Sequence, residues 1–304
     1  MSGTAKGAGL AIVALLVAVV AGAATHPAAP AVAESAVTAT PTAPTATASA
    51  KPRSAASASP SINDPTLVPI KSGLYKAGRV PAVSCKLPTK LVQTRAGLLA
   101  YARLMVGCMQ RAWTPLVVRA GFYLPTPRID AYVEGKPTGT QLCDNPPRHT
   151  DAFYRSSGSV ICFEWQEYAD PDSDPVWDLI DFQEMLAHEY GHHLQDTVDI
   201  LRTYVFVHAG GSKAVQLEDE RRLELQASCL GAAFLGAHKR SLRLTGGRLD
   251  LWEDMVKHTG DEYNPDNVRD HGSRKNHGYW SLRAFASTNP SSCNTFSAPA
   301  KRVS

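Results

Sequence analysis

The stretch AHEYGHHLQD, residues 187–196, closes a longer run, VWDLIDFQEMLAHEYGHHLQDTV, residues 176–198. In that run Leu179, Phe182, Met185, Leu186, Tyr190 and Leu194 recur at intervals of three and four, the period of an amphipathic helix. Within it, His188-Glu189-Tyr190-Gly191-His192 reads H-E-x-x-H. Residues four apart on a helix stand one turn above each other, so both imidazoles can reach one Zn²⁺ at about 2.0–2.1 Å. Glu189 lies about 100° round the helix from His188, beside the metal rather than on it. There a carboxylate can take a proton from a water and later return it to a leaving amine. The plainer alternative is a solvated, histidine-rich helix face. His193 points away from His192 and reads as the partner of a nearby polar group. Gly191 inside a helix costs about 1 kcal/mol relative to Ala, which a close neighbour needing room would explain.

A catalytic zinc needs a third protein ligand. The extended pattern H-E-x-x-H-x-x-G-x-x-H is absent: Val198 stands where its last histidine would be. The acids of the next expected helix, residues 216–238, are the natural source: Glu218, Asp219, Glu220 and Glu224. Glu224 is favoured because Leu223 and Leu225 flank it, whereas residues 218–222 read as an ordinary charged face.

FQEMLAHEYGHHLQ (residues 182–195) together with RLELQASCLG (residues 222–231) resembles the putative neutral zinc metallopeptidase family. Its members carry H-E-[FY]-G-H-H-[VL]-Q followed by E-L-Q-A-D-C. The resemblance extends upstream to TGTQLC and VICFEW, where members have a cysteine pair, and downstream to HGSRKNHGYW, so it spans residues 138–285. It implies a gluzincin-like fold with one zinc ion held by His188, His192 and Glu224, and Glu189 as the base. It also brings the 271–280 segment to the active site, where His271, in preference to His277 and Tyr279, would donate to the developing oxyanion. The chain departs from the pattern at Ser228, where members have an aspartate. One helical turn after Glu224, that aspartate could orient a ligating histidine, whereas a serine can accept the same hydrogen bond only without charge.

The rest of the 304-residue chain sets the context. Residues 9–24, GLAIVALLVAVVAGAA, form one apolar run that reads as a signal peptide or an uncleaved N-terminal anchor over residues 1–24. Residues 25–63 are dominated by Ala, Thr, Ser and Pro, which cannot bury enough surface to offset their ordering entropy, and read as a disordered spacer. The remaining residues, 64–304, are long enough for one sizeable core. Six cysteines lie there, and an even number behind an export signal favours disulfides. Cys85–Cys108, Cys143–Cys162 and Cys229–Cys293 are the expected pairs. A removable prosegment over residues 64–95, with Cys85 on the zinc, is the less favoured use of that cysteine.

Helices are expected from Thr94 to about Trp113, over residues 176–198 and 216–238, and around Tyr279 to Ser287. RIDAYVEG and the 156–168 segment read as strands. The second of these is read equally as a core strand or as an edge strand that pairs with extended substrate. Strands early and helices late give an α+β domain: a zincin-like metallopeptidase unit with a small N-terminal sheet, a helical C-terminal part and disulfide staples. A net charge of +3 gives no reason to expect nucleic acid as a partner. The function expected is a secreted or surface-attached zinc endopeptidase acting on peptide or protein substrates. Its N-terminus would attach it to membrane or cell wall. The competing readings are a weak or inactive zinc-binding surface module, and a metal hydrolase of cell-wall peptides.

Overall fold

The computed structural model describes residues 65–136, 142–147, 150–208, 211–264 and 267–304. The expected signal segment and spacer, and the TGTQ part of the upstream motif, lie outside them. Among the described residues no helix is long and apolar enough to cross a membrane.

The order of elements is a short turn α1 (Val68–Lys71), α2 (Arg95–Arg119), β1 (Arg128–Tyr132), β2 (Ala152–Arg155), β3 (Val160–Glu164), α3 (Pro175–Thr197), α4 (Ile200–His208), α5 (Lys213–Ala237), α6 (Gly247–His258) and α7 (Arg274–Ser287). The domain is therefore mixed α+β and mostly helical. Its sheet follows a 25-residue helix rather than opening the domain. Thr94 caps α2 as expected, its hydroxyl accepting from the Gly97 N–H at 3.2 Å. The helix runs on past Trp113 and through Pro115, because Leu116 and Val117 continue its buried face.

The three strands are ordered β1-β3-β2, with β1 parallel and β2 antiparallel to β3. This corrects the edge-strand reading: the VICFE segment is the central strand, buried at all five residues, and the two edges belong to β1 and β2. The expected strand also ends earlier, in a 3-10 turn at Gln166–Tyr168.

Helix α3 begins where Asp174 accepts from the Val176 N–H at 2.8 Å and Pro175 takes the first helical position, where its missing N–H is harmless. Phe182 anchors it under the sheet, with its ring 5.1 Å from that of Phe163 and 4.8 Å from that of Tyr168. From Leu186 to Gln195 nearly every side chain is buried, polar ones included, which overturns the picture of a solvated histidine face. α5 packs against both α3 and α7. The contact with α3 depends on two glycines. A Cβ at Gly191 would stand 2.4 Å from the Ala227 carbonyl oxygen, and one at Gly231 would stand 2.8 Å from the Ala187 carbonyl. The room that Gly191 leaves is thus taken by the backbone of α5.

The cysteines are placed as Cys85–Cys108, Cys143–Cys162 and Cys229–Cys293, with Cα separations of 5.6, 5.7 and 5.5 Å. These are the pairs expected, and they suit an oxidising compartment. Residues 65–95 are built into the domain rather than laid over it. Leu74 is fully buried, Cys85 is tied to α2, and the Tyr75 hydroxyl accepts from the Gln226 side chain at 2.7 Å.

Candidate metal centre

His188 and His192 project from α3 and Glu224 from α5 toward one point. The two Nε2 atoms are 3.0 Å apart, and Glu224 Oε2 lies 3.3 Å from His188 Nε2 and 3.2 Å from His192 Nε2. All three side chains are largely removed from solvent; His192 is completely so. The other acids on α5 have other partners: Glu218 and Asp219 pair with Arg222 at 2.7 and 3.8 Å, and Glu220 with the Tyr204 hydroxyl.

The hydrogen bonds around His192 fix which way it faces. Its Nδ1 meets Gln195 Oε1 at 2.9 Å. The Gln195 amide nitrogen faces the Leu223 carbonyl at 2.7 Å and Gln226 Oε1 at 3.1 Å, so it must be the donor end. Nδ1 of His192 therefore carries a hydrogen, and Nε2 turns to Glu224. Two imidazole nitrogens and a carboxylate oxygen thus converge within hydrogen-bond distance, and a cation is what satisfies such a set. The donor set fits zinc.

The electrostatics agree. Burial pushes His188 down to about 4, with Glu224 pulling the other way. At His192 burial opposes the charged form, but Glu224 outweighs it and raises the pKa. Burial alone would raise Glu224; His192 and His271 hold it well below the ordinary carboxylate range.

Glu189 is fully buried, and among the described residues its carboxylate makes no well-formed hydrogen bond, only an approach to the Tyr154 backbone N–H. Burial pushes it up to about 8, against the pull of His192. It lines one cavity with His188, Glu224, His271 and, from the edge of the sheet, Asp151 and Ala152. Further along α3 the same cavity meets Glu184, whose carboxylate accepts from Trp252 Nε1 at 2.6 Å and which burial pushes up to about 7.

His271 reaches this cavity from the loop before α7. Its Nδ1 meets Asp270 Oδ1 at 2.7 Å, and its own N–H and that of Gly272 donate to the Asp261 carboxylate at 2.9 and 2.8 Å. Gly272 sits at φ +84°, a conformation that a side chain would strain. His271 Nε2 is buried, without a hydrogen-bond partner among the described residues, and 3.6 Å from Glu224 Oε2. Burial opposes its charged form, yet Glu224 and Asp270 bring it up to about 9. The other two candidates of that segment are held by other partners, although His277 also lines the cavity. His277 binds Ser228 and the Val256 carbonyl, and Tyr279 lies under the Arg302 guanidinium, 4.1 Å from its ring centre.

His193 makes the polar contacts expected of it, with the Tyr154 hydroxyl at 3.1 Å and the Pro125 carbonyl at 2.8 Å. Sequence reasoning missed Gln195, Asp261 and Asp270. Gln195 carried a signal, since a residue three places after His192 shares its helix face. The two aspartates carried only their proximity to His271.

Residues 180–296 match the family model described as "Putative neutral zinc metallopeptidase", a family that implies a Zn²⁺ cofactor. No curated protein and no solved structure matches the chain.

Proposed function

We propose that this chain is a zinc-dependent endopeptidase, exported and working outside the cell or at its surface. His188, His192 and Glu224 would hold one zinc ion. When bound, zinc supplies a Lewis acid that polarises a carbonyl and makes a water more acidic. Glu189 is the general base: its buried carboxylate takes a proton from the attacking water and delivers it to the leaving nitrogen. His271 Nε2 donates a hydrogen bond to the oxygen on which negative charge gathers. Asp270 holds the ring from behind through Nδ1. The outer edge of β2, to which no strand pairs among the described residues, borders the cavity and suits an extended peptide, which would add to it as a further strand.

The observation that carries this reading is the pairing of two features in one cavity. Three metal-type donors meet at 3.0 to 3.3 Å, and a buried carboxylate with no side-chain hydrogen-bond partner among the described residues lies beside them. The test is cleavage of an unstructured peptide library by the zinc-loaded protein and by its Glu189→Gln variant. The expected result is equal zinc content and a cleavage rate about 10²–10⁴-fold lower in the variant. If both bind zinc and neither cuts, the site is a binding module rather than a peptidase.

A further inference from the structure

Ser228 Oγ lies 2.8 Å from His188 Nδ1 and 3.1 Å from His277 Nε2, and His277 Nδ1 lies 2.9 Å from the Val256 carbonyl oxygen. These four groups form a line from the backbone of α6 to the first histidine of the metal centre. The line can be read in one direction only. A carbonyl oxygen accepts and never donates, so His277 Nδ1 carries a hydrogen. Burial holds His277 neutral, its pKa pushed down to about 4, which leaves Nε2 as a lone pair. The hydrogen facing that lone pair is the hydroxyl hydrogen of Ser228. A hydroxyl has one hydrogen, so toward His188 the same oxygen can only accept. His188 must then carry its hydrogen on Nδ1 and keep Nε2 free to face Glu224 and His192.

We propose that His277 is a positioning residue that sets the tautomer of His188 through Ser228. An aspartate at position 228 would need no such help, because a carboxylate only accepts. A serine can turn either way. If it donated to His188, the imidazole would carry its hydrogen on Nε2, pointed into the cluster and closed to a cation. His277 removes that choice by taking the hydroxyl hydrogen. The packing of α7 on α6 keeps it in reach: a Cβ at Gly278 would already press on Lys257 Cα at 3.3 Å.

The inference rests on the metallopeptidase reading for its purpose, but the tautomer belongs to the metal-free chain and is measured there. Nitrogen NMR of the metal-free, full-length protein, with His188 assigned against His188→Gln, should find hydrogen on Nδ1 of both His188 and His277. Hydrogen on Nε2 of His188 overturns the proposal. In His277→Leu and in Ser228→Ala the His188 ring should become a mixture of tautomers. Zinc affinity, measured by chelator competition, should fall about 10-fold in each, and Ser228→Thr should restore it. Ser228→Asp makes the direction independent of His277, so adding His277→Leu in that background should change zinc affinity less than about 2-fold. An equal loss in both backgrounds marks His277 as merely structural and also overturns the proposal. Should the tautomers be as stated and the protein take up no zinc, the metallopeptidase reading falls while the role of His277 stands.

Discussion

His188, His192 and Glu224 form one cluster of metal-type side chains; Asp261, Asp270 and His271 form another. The two nearly touch, with His271 Nε2 3.6 Å from Glu224 Oε2. By composition either could hold a cation. They differ in where their lone pairs go. In the second cluster both Asp261 oxygens are taken by backbone N–H groups, and Asp270 is taken by His271 Nδ1. That cluster spends most of its acceptors on itself and turns His271 Nε2 toward Glu224. In the first, the atoms that converge are acceptors, and the hydrogens on the far side are fixed by Gln195 and Ser228. Unspent lone pairs, more than a count of acids and histidines, distinguish a metal centre from a bracket that aims one side chain.

The hardest test of this contrast is to remove one carboxylate from each side. Glu224→Gln should weaken zinc binding more than about 100-fold, while Asp261→Asn should leave the zinc content of the purified protein unchanged. Zinc lost equally from both would break the comparison.

The first cluster was legible in the sequence because its spacing is helical. His188 and His192 are one turn apart, and Glu224 stands among leucines on the next long helix. The cysteine pairs had no such signal: sequence leaves about 15 pairings open, and the guess that neighbours along the chain pair is what the structure has. What was not legible depends on distant partners. β2 is four residues long, and its pairing with β3 gives it no local signature beyond a short apolar run. α4 follows α3 after two residues, Val198 and the left-handed Asp199 at φ +63°, so no Gly or Pro announced the break. α6 mixes charged residues with a few buried ones, Trp252, Met255 and Val256, and its period is weak to the eye. Asp261 and Asp270 become meaningful only once the loop before α7 is folded against α5.

A smaller effect sharpens the role of the second cluster. Asp270→Asn keeps the shape of the bracket and removes its charge. It should lower kcat about 10-fold with zinc content and KM unchanged, read from steady-state kinetics on a cleaved peptide. A change in zinc content there would again blur the two clusters.

The smallest effect concerns Glu184, on the same face of α3 as His188. Its folded pKa of about 7 stands above the ordinary 4.5. As pH rises past 4.5 an unfolded chain releases that proton while the folded one keeps it until about 7, so this group lowers stability progressively across that window. A shift of that size corresponds to roughly 3 kcal/mol at most. Glu184→Gln, which can still accept from Trp252, should therefore raise the Tm by several degrees near pH 8 and leave it unchanged near pH 4. An equal change at both pH values would mean that the carboxyl is not held neutral by its burial.

Gly191 adds a consequence for how such chains are recognised. In H-E-x-x-H the two middle positions are wildcards, open to any residue. In this molecule the second of them is occupied by another helix's backbone, since a Cβ at Gly191 would overlap the Ala227 carbonyl and push α5 outward, Glu224 with it. A descendant that changed only this letter would still satisfy the pattern and keep all three donors, yet hold them too far apart to share an ion. For chains built on this pair of helices, the signature to search for spans both: glycine before the second histidine, and glycine seven residues after the glutamate, at Gly231.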